Sequence, residues 1–149
     1  YITSGFRGNA LLAIRLQGAE GNITGTESVV WSYDRDTPYV PSPLLYNDML
    51  YFLKSNDGIL SGLDVKTGAK HFGPQRLEGI EGIYASPVGA GNRVYITGRN
   101  GTTLVLKQGA RFEVLGGNAL DDSFSASPAI AGDELFLRGE KDLYCIAQD

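Results

Sequence analysis

The run Ser42-Pro43-Leu44-Leu45-Tyr46-Asn47-Asp48-Met49-Leu50-Tyr51 decides the fold, because its opening step and closing aromatic return twice more. Ser86-Pro87 leads to Tyr95 and Ser127-Pro128 leads to Phe136, in each case an aromatic eight residues after the proline. The prolines lie 44 and then 41 residues apart. A period of roughly 40 to 50 residues is that of one blade in a radial β-repeat.

The unit from Pro43 to Phe72 is the best formed. Leu44-Leu45-Tyr46 is a short apolar run closed by Asn47-Asp48, a two-residue turn signal. Met49 to Leu53 is a second run, and Asn56-Asp57-Gly58 supplies residues that tolerate positive φ and favour a hairpin. Ile59 to Val65 is a third strand, Lys66-Thr67-Gly68 breaks it, and Lys70 to Phe72 makes a fourth. The next unit keeps this order: Val88, the turn Gly91-Asn92, Arg93 to Thr97, the turn Asn100-Gly101, Thr103 to Lys107, and Arg111 to Leu115. A last unit gives Ala129-Ile130, Gly132-Asp133, Glu134 to Arg138 and Leu143 to Ala147, with no fourth strand. At the start, Tyr1-Ile2-Thr3 repeats Tyr95-Ile96-Thr97; Leu11 to Leu16 is then a third strand, and Val29 to Tyr33, with Trp31, a fourth.

The expected fold is therefore all-β: a partial β-propeller of four-stranded antiparallel blades, two of them full and two reduced to three-stranded remnants. The whole of 1–149 reads as a single incomplete domain with units at about 1–36, 37–80, 81–122 and 123–149. No helix is expected, because apolar residues do not recur at helical spacing and glycines interrupt too often. Gly18 to Glu27 and Gly116 to Asp122 read as polar connectors, and Pro38, Pro41 and Pro43 fall between blades, where a missing N–H removes no ladder bond.

Bulk properties narrow the function classes. Hydrophobic residues make up 42% and charged residues 20%, a globular composition. A formal charge of −4 argues against a nucleic-acid binder, which carries a basic patch or stripe. No apolar run reaches the ~20 residues that span a bilayer, so membrane insertion is not expected. Tyr1 opens inside a strand pattern, and the expectation is a stretch of a longer protein.

The ordered elements resemble the pyrroloquinoline-quinone-like repeat family of β-propellers. In that family's unit, Ser-Pro is followed by an aromatic on the second strand, Asp-Gly, a Leu-Tyr-Ala-Leu-Asp strand, Thr-Gly and a Trp. Ser42-Pro43, Tyr51, Asp57-Gly58, Leu63-Asp64 and Thr67-Gly68 keep this order, with Phe72 near the Trp position. Leu143-Tyr144-Cys145-Ile146-Ala147 is similar to the third-strand signature, and Trp31 to the fourth-strand Trp. The resemblance implies one of two classes, quinoprotein dehydrogenases or non-catalytic scaffolds that bind other proteins, and fold alone does not choose. It also implies a bacterial protein in a periplasmic or other extracytoplasmic location.

Tests for chemistry favour the scaffold class. The family's quinone sits between a Trp and a disulfide of adjacent cysteines, whereas this chain has one cysteine, Cys145, and one Trp at a structural repeat position. No cofactor and no metal is expected. Asp34, Asp36, Asp121 and Asp122 read as solvated loop carboxylates, lacking the spaced oxygen ligands of a cation loop. His71, the single histidine, reads as an exposed edge residue, and Cys145 as a small buried thiol. Gly101-Thr102-Thr103 and Gly116-Gly117 lack the Lys-Ser/Thr and helix start of a phosphate loop. No catalytic residue is assigned.

In a propeller, the connection into the first strand and the hairpin between the second and third open on one face. That face would carry Arg7, Tyr39, Asn56, Tyr84, Arg99, Asp122 and Phe124. Three of these, Tyr39, Tyr84 and Phe124, lie three or four positions ahead of a Ser-Pro proline and would ring the channel mouth. Aromatics and arginines on loops are the composition of a protein-binding face; the alternative is that these rings cap the core between blades. The expected function is a non-enzymatic protein-binding or scaffolding module, with self-association through open blade edges. The alternatives are part of a quinoprotein-like enzyme whose catalytic residues lie outside this stretch, and a recognition domain attached to a catalytic unit.

Overall fold

The computed structural model describes residues 1–147 and contains fourteen strands in four antiparallel sheets. The first sheet holds β1 (Ile2–Ser4), β2 (Ala10–Ile14) and β3 (Val29–Tyr33). The second holds β4 (Leu44–Tyr46), β5 (Met49–Leu53), β6 (Ile59–Asp64) and β7 (Lys70–Arg76). The third holds β8 (Val88–Ala90), β9 (Arg93–Thr97), β10 (Thr102–Lys107) and β11 (Val114–Ala119). The fourth holds β12 (Ala129–Ala131), β13 (Glu134–Arg138) and β14 (Leu143–Ile146). Each sheet is a meander in chain order. The chain is a partial β-propeller: two four-stranded blades between two three-stranded ones. Among the described residues no helix is long and apolar enough to cross a membrane.

The inner hairpins follow from their turn residues. Asn47 (φ 46°) and Asp48 (φ 59°) both take positive φ, as do Gly91 (φ 55°) and Asn92 (φ 57°). Two successive left-handed residues match the twist of the strands they join, which is why Asn, Asp and Gly stand there.

Blades pack through alternate side chains. Met49-Leu50-Tyr51-Phe52-Leu53 is buried along its whole length, as a strand covered on both faces must be. Leu50 and Phe52 join Leu11, Leu63 and Val65, with Trp31 and Tyr33 beside them, in the seam between the first and second blades. Met49, Tyr51 and Leu53 join Leu60, Val94, Ile96, Leu104 and Leu106 in the seam between the second and third. The indole N–H of Trp31 donates to the Val65 carbonyl at 3.0 Å. Its ring lies over Gly68 (φ 70°), where an added Cβ would fall 2.7 Å from Trp31 Cδ2, so both conformation and space require glycine.

The Ser-Pro steps form a relay from blade to blade. The Ser42 N–H donates to Ser86 Oγ at 2.9 Å, and the Ser86 N–H donates to Ser127 Oγ at 2.9 Å. Each serine stands just before the innermost strand of its blade, so the relay ties blade to blade at the hub.

Three features depart from expectation. The outermost strand of the third blade is Val114–Ala119, not Arg111 to Leu115, so the connector expected from Gly116 begins as sheet. Its pairing with β10 runs Thr102↔Ala119 to Val105↔Gly116, then shifts at a bulge between Val105 and Leu106. The glycine pair hid this strand because its residues have low strand propensity, which backbone pairing with β10 overrides. In the β5–β6 hairpin, positive φ falls on Ser55 (φ 50°) rather than on Asn56-Asp57-Gly58. Ser55 is pinned from outside the hairpin: its N–H donates to Thr37 O at 3.0 Å and its carbonyl accepts from Tyr39 N–H at 3.3 Å. Cys145, expected to be buried, is exposed. It lies on β14, the edge of its sheet, which no described strand covers.

Candidate functional site

Backbone bonds gather two kinds of loop on one face. Ile83 N–H donates to Asn56 O at 2.9 Å, Arg99 N–H to Glu81 O at 3.0 Å, and Glu140 N–H to Ser123 O at 3.0 Å. Each bond joins the loop between the second and third strands of a blade to a connection entering a first strand. Asn side chains fasten joints of the same kind. Asn56 Oδ1 accepts from Val40 N–H at 3.2 Å, and Asn100 Oδ1 accepts from Glu81 N–H at 3.2 Å. Asn56 is thus a half-buried fastener of the loop rather than a free contact residue.

Two arginine–aromatic groups stand on this face. Phe6 and Tyr39 stack with centroids 5.3 Å apart at 27°, and the Arg7 guanidinium lies 5.3 Å from the Phe6 centroid. Phe6 is 61% exposed, Tyr39 52% and the adjoining Val40 47%, so this is an apolar surface rather than a core edge. In the next group the Arg99 guanidinium sits 5.0 Å from the Tyr84 centroid, and Arg99 Nη2 lies 4.0 Å from Glu140 Oε1. A cation held over a ring face gains about 0.5–1 kcal/mol at an exposed site, enough to keep a long side chain against its ring. A shallow cleft of about 390 Å³ lies beside Arg99, lined also by Glu81, Gly82, Asn100 and Ser123.

Phe124 and Asp122 are corrections to the expected ring of surface residues. Phe124 is fully buried and meets Tyr144 edge-on, with centroids 5.7 Å apart at 63°. Asp122 is 9% exposed and turns inward. Its carboxylate accepts from the N–H groups of Ser123 (2.7 Å), Glu140 (3.0 Å), Lys141 (3.2 Å) and Asp142 (3.1 Å), and from the Tyr144 hydroxyl (3.3 Å). It therefore organises the β13–β14 loop from within.

The titration of Asp122 gives a testable consequence. Partial burial pushes its carboxyl up, but the N–H donors of Ser123, Asp142 and Lys141 and the Tyr144 hydroxyl outweigh this and hold it at about 2, against an ordinary 3.8. A folded pKa below the unfolded one contributes stability that is complete above the unfolded value and is lost as pH falls through the folded value. Asp122→Asn should therefore melt below the wild type at pH 5, and the gap should narrow from pH 4 to pH 2. Thermal melts across that range check it; a gap that stays constant contradicts it.

The remaining candidates lie elsewhere. Asp36 pairs with Lys54 at 3.0 Å and Asp121 with Lys141 at 3.6 Å. His71 is exposed on β7, its Nε2 3.9 Å from Asp64 Oδ2. Among the described residues no group of three or more His, Cys, Asp or Glu side chains is placed to hold a metal ion. The sequence missed Phe6 and Val40, although each adjoins a residue it did select.

The fold defines this chain as a propeller-type repeat protein. No protein-family model matches it, and no curated protein sequence matches it. In three dimensions it is similar to BamB from Moraxella catarrhalis, with a TM-score of 0.69 at 18% identity over 93% of this chain. The chain spans 41% of that BamB chain. It is also similar to the computationally designed Ika4 protein, with a TM-score of 0.50 at 13% identity, covering 70% of this chain and 63% of that one. At these identities the likeness is one of fold.

Proposed function

We propose that this chain is a non-enzymatic propeller module that binds or scaffolds another protein through the face carrying Phe6, Arg7, Tyr39, Val40, Tyr84 and Arg99. One observation carries the reading: two arginine–aromatic groups stand exposed where hairpin loops are tied by backbone bonds to the connections entering first strands. Rigid aromatics with arginine are what protein interfaces concentrate at their energetic centres, because large rings bury area at little entropic expense. The likeness of fold to BamB is compatible with a scaffold but does not name a partner. An extracytoplasmic location belongs to the same proposal and is supported by the sequence resemblance. Self-association is a further part of it, supported by exposed Ile2 and Val30 in the first blade and Leu143 and Ile146 in the last.

The triple variant Phe6→Ser, Tyr39→Ala, Arg99→Ala tests the assignment. Exposed substitutions change stability little, so its melting temperature should move by less than about 4 °C. Capture of the protein partner from the native extract should fall at least about ten-fold. A partner retained equally by wild type and variant contradicts this face.

A further inference from the structure

The connection between the last two strands of the first blade is longer than the fold requires. Residues 15–28 join β2 to β3, whereas 65–69 suffice between β6 and β7 and 108–113 between β10 and β11. No residue of 15–28 is buried. The hydrogen bonds of this loop close on itself. Arg15 N–H donates to Ser28 O at 2.8 Å across the neck, while Ala19 N–H to Leu16 O and Thr26 N–H to Ile23 O, both 3.1 Å, turn the chain within it. A loop tied to itself can open without disturbing the sheet behind it. Strands alternate in direction along a blade, so the loop leaves at the end opposite the proposed protein-binding face.

The loop carries Asn22-Ile23-Thr24, the asparagine-x-threonine acceptor of N-linked glycosylation, with no proline in the middle. Glu20 stands two residues before Asn22, where bacterial transferases of this kind also need an acidic residue. Asn22 and Thr24 are both exposed. Asn22 Oδ1 accepts from Thr24 N–H at 3.0 Å, which folds the tripeptide into a turn, and among the described residues nothing holds Nδ2. The second match to the pattern, Asn100-Gly101-Thr102, differs on each count. Gly98 stands in the place of the acid. Asn100 Nδ2 donates to Gly79 O at 2.9 Å and Oδ1 accepts from Glu81 N–H at 3.2 Å, so its amide is occupied in fastening the binding face.

We propose that Asn22 is an N-glycosylation site, modified outside the cytoplasm by a membrane transferase that uses a lipid-diphosphate-linked oligosaccharide. Asn22 Nδ2 attacks C1 of the first sugar, and the new N–C1 bond forms as the C1–O bond to the diphosphate breaks. The lipid diphosphate leaves with that oxygen, and a base of the transferase takes the amide proton. The proposal rests on the extracytoplasmic location proposed above. A glycan at Asn22 would point away from Phe6, Tyr39 and Tyr84 and leave the binding face open.

Trypsin separates the two asparagines: cleavage after Arg15 and Arg35 releases Leu16–Arg35, and cleavage after Arg99 and Lys107 releases Asn100–Lys107. Mass spectrometry of the protein from its native cells should find a glycan on Leu16–Arg35 and none on Asn100–Lys107. In vitro, the folded chain with a purified bacterial oligosaccharyltransferase and its lipid-linked donor should gain one glycan. Asn22→Gln and Thr24→Ala should each abolish that gain. Both changes are exposed, so both variants should melt within about 2 °C of the wild type, which separates loss of the acceptor from loss of the fold. No gain in vitro, or a gain on Asn100, would overturn the site whatever the location of the protein. Fractionation of the native cells separates the remaining outcomes. A bare Leu16–Arg35 in protein found outside the cytoplasm overturns the site alone, whereas protein found only inside overturns the location and the proposal with it.

Discussion

Phe124→Ala should lower the unfolding free energy by about 3–5 kcal/mol, the range for removing a fully buried aromatic ring. The side chain has no exposed surface and closes edge-on against Tyr144, so truncation leaves a cavity at the foot of the fourth blade. Small domains hold only about 5–15 kcal/mol in total, so the variant should stand near the edge of folding. Tyr84→Ala is the paired control: with its ring 38% exposed and covered on one side by Arg99, it should shift stability far less. Urea titrations of both variants at unchanged slope measure the difference. Equal losses would mean that the two rings occupy the same environment.

Phe52→Ala should cost about 3–5 kcal/mol as well, and in a different place. Phe52 is fully buried in the seam between the first and second blades, edge-on to Tyr33 at 5.6 Å and 64°. The chain has a single tryptophan, Trp31, and it lies in that seam with its N–H on Val65 O. Stacked repeats are stabilised mainly by their neighbours, so a weakened seam should open locally before the rest. Trp31 emission of the Phe52→Ala variant should therefore shift to the red at lower urea than the loss of strand signal in circular dichroism. A variant whose two transitions coincide at the wild-type midpoint would contradict this packing.

The all-β class and the order of strands were legible because each blade repeats its punctuation. Asn47-Asp48 and Gly91-Asn92 announce hairpins by the backbone angles they tolerate, and the structure puts positive φ on those four residues. Met49 to Leu53 was legible as a strand because it is apolar throughout, and the structure buries all five residues. The outermost strand Val114–Ala119 was illegible because Gly116-Gly117 carries no strand signal of its own and is ordered by pairing with β10. Surface positions were the least legible. Four residues ahead of Pro87 and Pro128, Ile83 and Phe124 are both fully buried, whereas Tyr39, four ahead of Pro43, and Tyr84, three ahead of Pro87, face out. A one-residue step reverses which side of an extended chain a side chain takes, and the same offset of four is exposed at Tyr39 but buried at Phe124, so the offset could not separate core from surface. Asp122 looked like a solvated loop carboxylate because the N–H groups that claim it come mainly from a loop eighteen to twenty residues further on.

The most direct test of side-by-side blades is whether the hub serines meet in solution. Nuclear Overhauser spectra of the folded chain should show the Ser42 amide close to the Ser86 side chain, and the Ser86 amide close to that of Ser127, following the two 2.9 Å bonds. Both contacts appearing, with none between Ser42 and Ser127, is the predicted result. Their absence in a chain whose strands are otherwise formed would contradict a common axis.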